Sequence, residues 1–177
     1  VANGPEVILY YLAALKLGAI MVPLNLLYRG GELDYLIKDA RPRVLLTDVE
    51  RYEIFRPFRD EFASIEHVVL ADSAASGECL GFEDLLAGPP GESISTAAVT
   101  GEDPALMIYT SGTTGRSKGA LLTHHNLVSN ITALLHCWQW TADDRFLLCL
   151  PLFHIDGLGN GVPGLLASGC TTYRMDR

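Results

Sequence analysis

Apolar positions recur at helical spacing from the start of the chain, with Val7, Ile8, Tyr11, Leu12 and Leu15 on one face. Pro5 stands near the first turn of this pattern and Gly18 at its stop, which predicts a helix between them. Ile20-Met21-Val22 reads as a short buried strand ended by Pro23. Leu33, Leu36, Ile37 and Ala40 mark a second helix, closed by Arg41-Pro42 because the residue before proline disfavours helical geometry. Val44-Leu45-Leu46 predicts the next strand, residues 51–63 a helix, and His67 to Leu70 another strand. From Ala71 to Gly101 the pattern weakens into Ala, Ser, Gly and Pro, a surface excursion with one short helix around Phe82 to Leu86.

Order returns with Ala105-Leu106-Met107-Ile108-Tyr109, a continuous apolar run that suits a strand covered on both faces. A loop at residues 110–118 follows, then a strand at Ala120-Leu121-Leu122. The next helix carries Leu127, Ile131, Leu134, Leu135 and Trp138 on one face, with Thr123 placed as its N-cap. Trp138 fits the core face, Trp140 suits a cap on the sheet or the border of a pocket, and core packing is the expectation. Phe146 to Leu150 predicts a buried strand, residues 156–167 a helical stretch, and Cys170 to Met175 a last strand. Strands alternating with helices imply an α/β fold, layered, with a mainly parallel sheet and flanking helices.

Composition narrows the functional classes. The chain has 177 residues, 49% of them hydrophobic and 19% charged, which is ordinary for a folded domain. Its net charge of −8 offers no global field for nucleic acid or an anionic membrane. Any phosphate ligand must therefore be gripped by local groups. The longest apolar runs, such as Ala19 to Leu24, fall far short of the roughly 20 residues that span a bilayer. Cys79, Cys137, Cys149 and Cys170 form no CxxC pair, so reduced thiols in a cytoplasmic protein are expected. The opening Val1-Ala2-Asn3-Gly4-Pro5 and the closing strand both read as cut ends, and a fragment is expected.

The chemistry is concentrated in Tyr109-Thr110-Ser111-Gly112-Thr113-Thr114-Gly115-Arg116-Ser117-Lys118-Gly119, directly after a buried strand. Glycines let backbone N–H groups converge closely on an anion. Hydroxyls add neutral donors and can ligate Mg²⁺, and Lys118 adds a compact positive charge. The combination suits a polyphosphate. It departs from the Walker A loop, which from Gly112 would require Gly at 117 and Ser or Thr at 119, where the chain has Ser117 and Gly119. A strand, not a helix, follows it.

The loop resembles the signature of the adenylate-forming superfamily, which includes acyl-CoA synthetases, luciferases and the adenylation domains of peptide synthetases. The usual form ends in Pro-Lys-Gly, and here Ser117 replaces the proline while Lys118 stays in register. Tyr11 to Asn25 is similar to an early helix–strand unit of acyl-CoA synthetases. Leu122-Thr123-His124-His125-Asn126-Leu127, Asp143-Asp144-Arg145 and Leu150 to Leu158 resemble segments that follow their loop.

The resemblance implies residues 1–177 of the large N-terminal domain of an adenylate-forming enzyme, with the adenine-binding part and the C-terminal domain absent. It implies that ATP and a carboxylate, a fatty or other organic acid, give acyl-AMP and pyrophosphate, and that CoA then takes the acyl group. Thr110, Ser111, Gly112, Thr113, Thr114, Gly115 and Lys118 would bind the ATP phosphates, with Lys118 catalytic and Thr110 a candidate Mg²⁺ ligand. His154 and Gly157 would line the acyl pocket. The implied partners are ATP, CoA and a small carboxylate, with no nucleic acid and no membrane span; a homo-oligomer is compatible with them. Adenylation for a non-CoA acceptor and a non-catalytic nucleotide-binding module are the alternatives.

Two other patterns fail. Gly157-x-Gly159-x-Gly161 has the wrong final spacing for a dinucleotide loop, and close helix packing explains those glycines better. His124, His125 and His136 have no carboxylate–histidine set to complete a metal site, so they are assigned structural roles.

Overall fold

The computed structural model describes residues 1, 3–88, 98–110 and 116–175. The chain divides into two compact units, Val1 with Leu27–Ser95, and Ala2–Leu26 with Thr96–Arg177. Both mix helices with strands, as an α/β chain should.

The first unit is built on three parallel strands, β1 (Val44–Thr47), β2 (His67–Leu70) and β3 (Cys79–Gly81), in the order β1-β2-β3. Helix α2 (Gly30–Ala40) buries Leu36 and Ile37 and ends at Arg41, whose left-handed backbone (φ 46°) turns the chain into Pro42. Helix α3 (Val49–Phe55) is capped by Asp48, which accepts from the Arg51 backbone N–H at 3.0 Å. The helix expected over 51–63 is in fact α3 followed by a tighter 3₁₀ segment, Arg56–Glu61. The reason is Pro57, which has no N–H for the α-helical ladder. Phe55 and Phe62 then stack at 5.3 Å across the junction. Within the stretch expected to be irregular, the short helix expected around Phe82 to Leu86 forms as α4 (Phe82–Ala87), and a strand not expected there, β3, is ordered as well. Only three residues long, β3 alternates buried, exposed, buried, too short a run for periodicity to reveal.

In the second unit, helix α1 (Pro5–Lys16) buries Val7 and Tyr11, and Gly18 (φ 69°) follows its end. The strand expected at residues 20–22 is a single parallel bridge, Met21 to Leu106. Its two hydrogen bonds, Met21 N–H to Ala105 O (3.0 Å) and Met107 N–H to Met21 O (2.8 Å), tie the chain to β4 (Pro104–Thr110). An antiparallel pair joins β4 to β5 (Lys118–Thr123), while β6 (Arg145–Leu148) and β7 (Thr171–Arg174) pair in parallel. Thr123 and Asn126 form a reciprocal capping box at the start of α5 (His124–Trp138), as the sequence predicts for Thr123. Helix α6 (Val162–Ser168) leads into β7.

Trp138 corrects an expectation. It is 61% exposed, because α5 stops at Gln139 in a left-handed conformation and its last turn overhangs the core. Trp140 does the packing instead: its ring lies 4.8 Å from Phe146 and fills the space where a Cβ on Gly164 would stand.

Tyr11 is fully buried and its hydroxyl has no hydrogen-bond partner among the described residues. Burial pushes the phenol up to about 12. A buried polar atom without a partner costs about 1–3 kcal/mol. Tyr11→Phe should therefore leave the melting temperature unchanged or raise it. The sign for alkali follows from linkage. The folded state favours the protonated phenol, so stability is intact below the unfolded value near 10 and is lost as pH rises towards 12. Urea midpoints between pH 9 and 12 should fall less steeply in the phenylalanine variant; parallel curves, or a destabilised variant at neutral pH, would show that the hydroxyl is satisfied.

Candidate functional site

The β4–β5 hairpin carries the loop that the sequence singles out. Its base is rigid for identifiable reasons. Ala105 and Leu106 are completely buried, Met21 bonds β4 on one side, and β5 pairs with it on the other. At the end of β5, His124 N–H donates to Asp103 O (3.1 Å) and His125 N–H to Gly101 O (2.7 Å), fixing the strand-to-helix corner. Asp103 in turn accepts from the Thr100 N–H (2.7 Å) and hydroxyl (2.8 Å), and these two bonds hold its carboxyl below the usual range.

Burial decreases along β4 from Leu106 to Thr110, which is exposed. The strand is thus covered on both faces only at its base, and its far end emerges into solvent. At that end Thr110 pairs with Lys118 and Tyr109 with Gly119. Residues 111–117 connect the two strands; of these, Ser111, Gly112, Thr113, Thr114 and Gly115 lie outside the described residues. Lys118 is exposed, and among the described residues its ammonium has no acidic partner. The register therefore fixes a hydroxyl and an unneutralised cation on opposite strands at the root of the loop. Exposed hydroxyl oxygen is a ligand type that hard cations accept, so Thr110 fits Mg²⁺ chemically.

A second group of residues surrounds His154. A π-helical turn, Asp156–Gly161, precedes α6 and buries Gly157, Leu158, Gly159 and Gly161. A Cβ on Gly157 would lie 2.3 Å from the Pro151 carbonyl oxygen, so no side chain fits there. The structure thus gives Gly157 a close backbone contact. At Gly159 the nearest neighbours are Ile155 and Leu106, which seats the turn on the same strand that leads to the loop. The glycine-rich stretch serves close packing, as its spacing suggested.

His154 itself is exposed, with its N–H bonded to Pro151 O at 3.0 Å. Its Nδ1 lies 3.1 Å from an Asp156 carboxylate oxygen. Among the described residues His154 makes no hydrogen bond or ion pair to the hairpin, so the structure supports it from the same strand without bringing it into contact with Lys118. Sequence reasoning missed Asn3, which is buried and holds the approach to His154. Its side chain donates to Leu150 O (3.2 Å) and accepts from the Leu152 N–H (2.8 Å), and Arg174 bonds its carbonyl (2.7 Å). An asparagine far away in sequence and outside any periodic pattern gives no signal of this.

An open groove lined by Leu15, Lys16, Val99, Thr100, Gly101 and His124 adjoins the start of α5; neither His154 nor Gly157 lines it. Among the described residues no group of three or more His, Cys, Asp or Glu side chains could hold a metal ion.

Comparison with known proteins gives a consistent result. The family described as AMP-binding enzyme matches residues 1–177. An indoleacetate–CoA ligase of Aromatoleum aromaticum is 36% identical over 170 residues, covering 96% of this chain and 33% of that protein. A mitochondrial malonate–CoA ligase of Bos taurus is 33% identical over 174 residues, covering 98% of this chain and 28% of that one. Among solved structures, ATP-bound MatB from Rhodopseudomonas palustris superposes with a TM-score of 0.83 at 32% identity, over 98% of this chain and 33% of its own. A long-chain-fatty-acid–CoA ligase from Archaeoglobus fulgidus gives 0.85 at 27% identity, over 97% and 33%. The chain spans about a third of the length of the curated relatives it matches.

Proposed function

The chain belongs to the AMP-binding enzyme family, and from that premise we propose that it grips the ATP phosphates within an enzyme that activates a carboxylic acid as acyl-AMP and passes the acyl group to CoA. The observation that carries this reading is the hairpin register, which sets exposed Thr110 opposite exposed Lys118, without an acidic partner among the described residues, at the root of a Ser/Thr/Gly loop. Curated relatives are ligases named for indoleacetate, malonate and crotonobetaine or carnitine. Their acids differ in size, ring content and charge, so what they share is the carboxylate and the CoA thiol. A fatty or other organic acid is the substrate class that follows.

Chemically, the carboxylate oxygen attacks the α-phosphorus of ATP and the bond to the departing pyrophosphate breaks. Negative charge grows on the leaving group, and a fixed cation near it is most useful at that moment. Lys118 supplies such a charge, and backbone amides and hydroxyls of residues 110–115 supply neutral donors. Mg²⁺, when bound, would spread the polyphosphate charge, with Thr110 as a candidate ligand. No residue of the loop acts as nucleophile or general base. The thiol step then forms a C–S bond at the acyl carbon and releases AMP.

We place His154 beside the reacting carboxylate and the incoming thiol. Its side chain is exposed, and the π-helical turn that follows it is packed on the loop-bearing strand. His154→Ala in the full-length protein is expected to change acid preference or acyl transfer while ATP binding persists. A thermal melt paired with separate half-reaction rates checks this. A selective change at an unchanged melting temperature is the expected result; uniform loss of every rate with a lowered melt would mean a structural histidine.

A further inference from the structure

The chain leaves β6 at Leu148, whose carbonyl accepts a last bond from the Met175 N–H at 3.1 Å. Pro151 comes soon after and has no N–H with which to extend a ladder. The backbone beside it is nevertheless taken out of water, because Leu152 is buried, and a buried N–H needs a partner. One side chain serves the residues on both sides of the proline. Asn3 Nδ2 donates to Leu150 O at 3.2 Å, and Asn3 Oδ1 accepts from the Leu152 N–H at 2.8 Å. A carboxamide carries donor and acceptor side by side, as a peptide unit does, so Asn3 stands where a neighbouring strand would. A carboxylate would lose the donor and a leucine would lose both.

The amide is itself held in place. Asn3 is buried, and its backbone carbonyl accepts from Arg174 Nη1 at 2.7 Å. The residues before α1, the segment after β6 and the end of β7 therefore meet at one side chain.

The clamp grips the residues flanking Pro151 and so fixes the carbonyl between them. That oxygen accepts from the His154 N–H at 3.0 Å, and a Cβ on Gly157 would stand 2.3 Å from it. The His154 carbonyl in turn accepts from the Gly157 and Leu158 N–H groups, at 3.1 and 3.0 Å, where the π-helical turn begins. Placement passes from Asn3 through Pro151 to His154 and Gly157 without a gap.

We propose that Asn3, by clamping Leu150 and Leu152, sets the position of the Pro151 carbonyl and through it of His154 and Gly157, and so acts as a positioning residue for the choice of acid. Discrimination between similar apolar acids rests on fit at the scale of a methylene, so a small shift of this segment alters preference before it alters the chemistry at phosphorus. The acid part rests on the ligase reading above; the positioning part does not.

The test compares two variants of the full-length protein. Asn3→Ala removes the clamp, whereas Val7→Ala lowers stability from a buried position on α1 that makes no hydrogen bond to the segment. Arg174→Gln, at an exposed position, loosens the same clamp should Asn3→Ala not fold. Amide hydrogen exchange at Leu152 and Leu158 should rise at least roughly tenfold more in Asn3→Ala than in Val7→Ala. Across straight-chain carboxylates of increasing length, the ratio of kcat/KM values should shift at least roughly fivefold in Asn3→Ala and stay within about twofold in Val7→Ala, with the KM for ATP held in both. A rise in exchange no greater than that of Val7→Ala overturns the positioning claim. Local loosening with an unchanged acid preference, or a shift that Val7→Ala reproduces, overturns the assignment to acid choice. Local loosening in a protein that releases no pyrophosphate with any acid, even as wild type, leaves Asn3 in its positioning role and sinks the ligase reading instead.

Discussion

Lys118→Ala in the full-length protein is expected to slow acid-dependent pyrophosphate release roughly 30- to 1000-fold, a loss of about 2 to 4 kcal/mol of transition-state stabilisation. The size follows from timing. A cation that meets charge only as the pyrophosphate departs lowers the barrier more than it tightens ground-state binding. The site makes the result interpretable. Lys118 is exposed at the first position of β5, makes no ion pair among the described residues, and is remote from the buried base of the hairpin at Ala105 and Leu106. Exposed substitutions of this kind change stability by about 0.5 kcal/mol or less. The melting temperature should hold while turnover falls. Wild-type pyrophosphate release with weakened acid affinity alone would show that Lys118 does not face the leaving group.

The 177-residue chain alone should release no pyrophosphate above the buffer rate, even with ATP and a good acid present. Adenylation depends on holding the carboxylate against the α-phosphorus, and such positioning is worth about 7 to 11 kcal/mol. On the proposed reading the chain would grip phosphate at Thr110 and Lys118 and present a histidine at 154, yet it spans only about a third of its relatives. A grip on one end of ATP does not align the other reactant. Stopped assays of the purified chain beside the full-length protein decide the matter. Comparable rates in the two would mean that the adenine-holding and acid-holding groups already lie within these residues.

Much of the fold is legible in the sequence. Helices α1, α2 and α5 follow from apolar residues three and four apart with Pro5, Gly18 and Thr123 as punctuation, and all three form. The loop stands out for a different reason: hydroxyls, glycines and a lysine directly follow a buried strand. Its setting between two strands, which separates it from a Walker A loop, also holds for the flanking β4 and β5. Three features were not legible. A lone bridge such as Met21 to Leu106 is a tertiary pairing without a local pattern. The exposure of Trp138 depends on where the core ends beneath α5, which periodicity does not report. The anchoring of Leu150 to Leu152 by Asn3 crosses nearly the whole chain, and nothing around an isolated asparagine announces its partner. The approach of His154 Nδ1 to Asp156, two residues on, depends on the bend before the π-helical turn, which periodicity does not report.

The most direct test follows ATP in the full-length protein against a panel of carboxylates, with and without CoA. Pyrophosphate should appear only with an accepted acid, and AMP and acyl-CoA only when CoA is added as well. Cleavage of ATP to ADP and inorganic phosphate, or pyrophosphate release indifferent to every acid, would contradict the account.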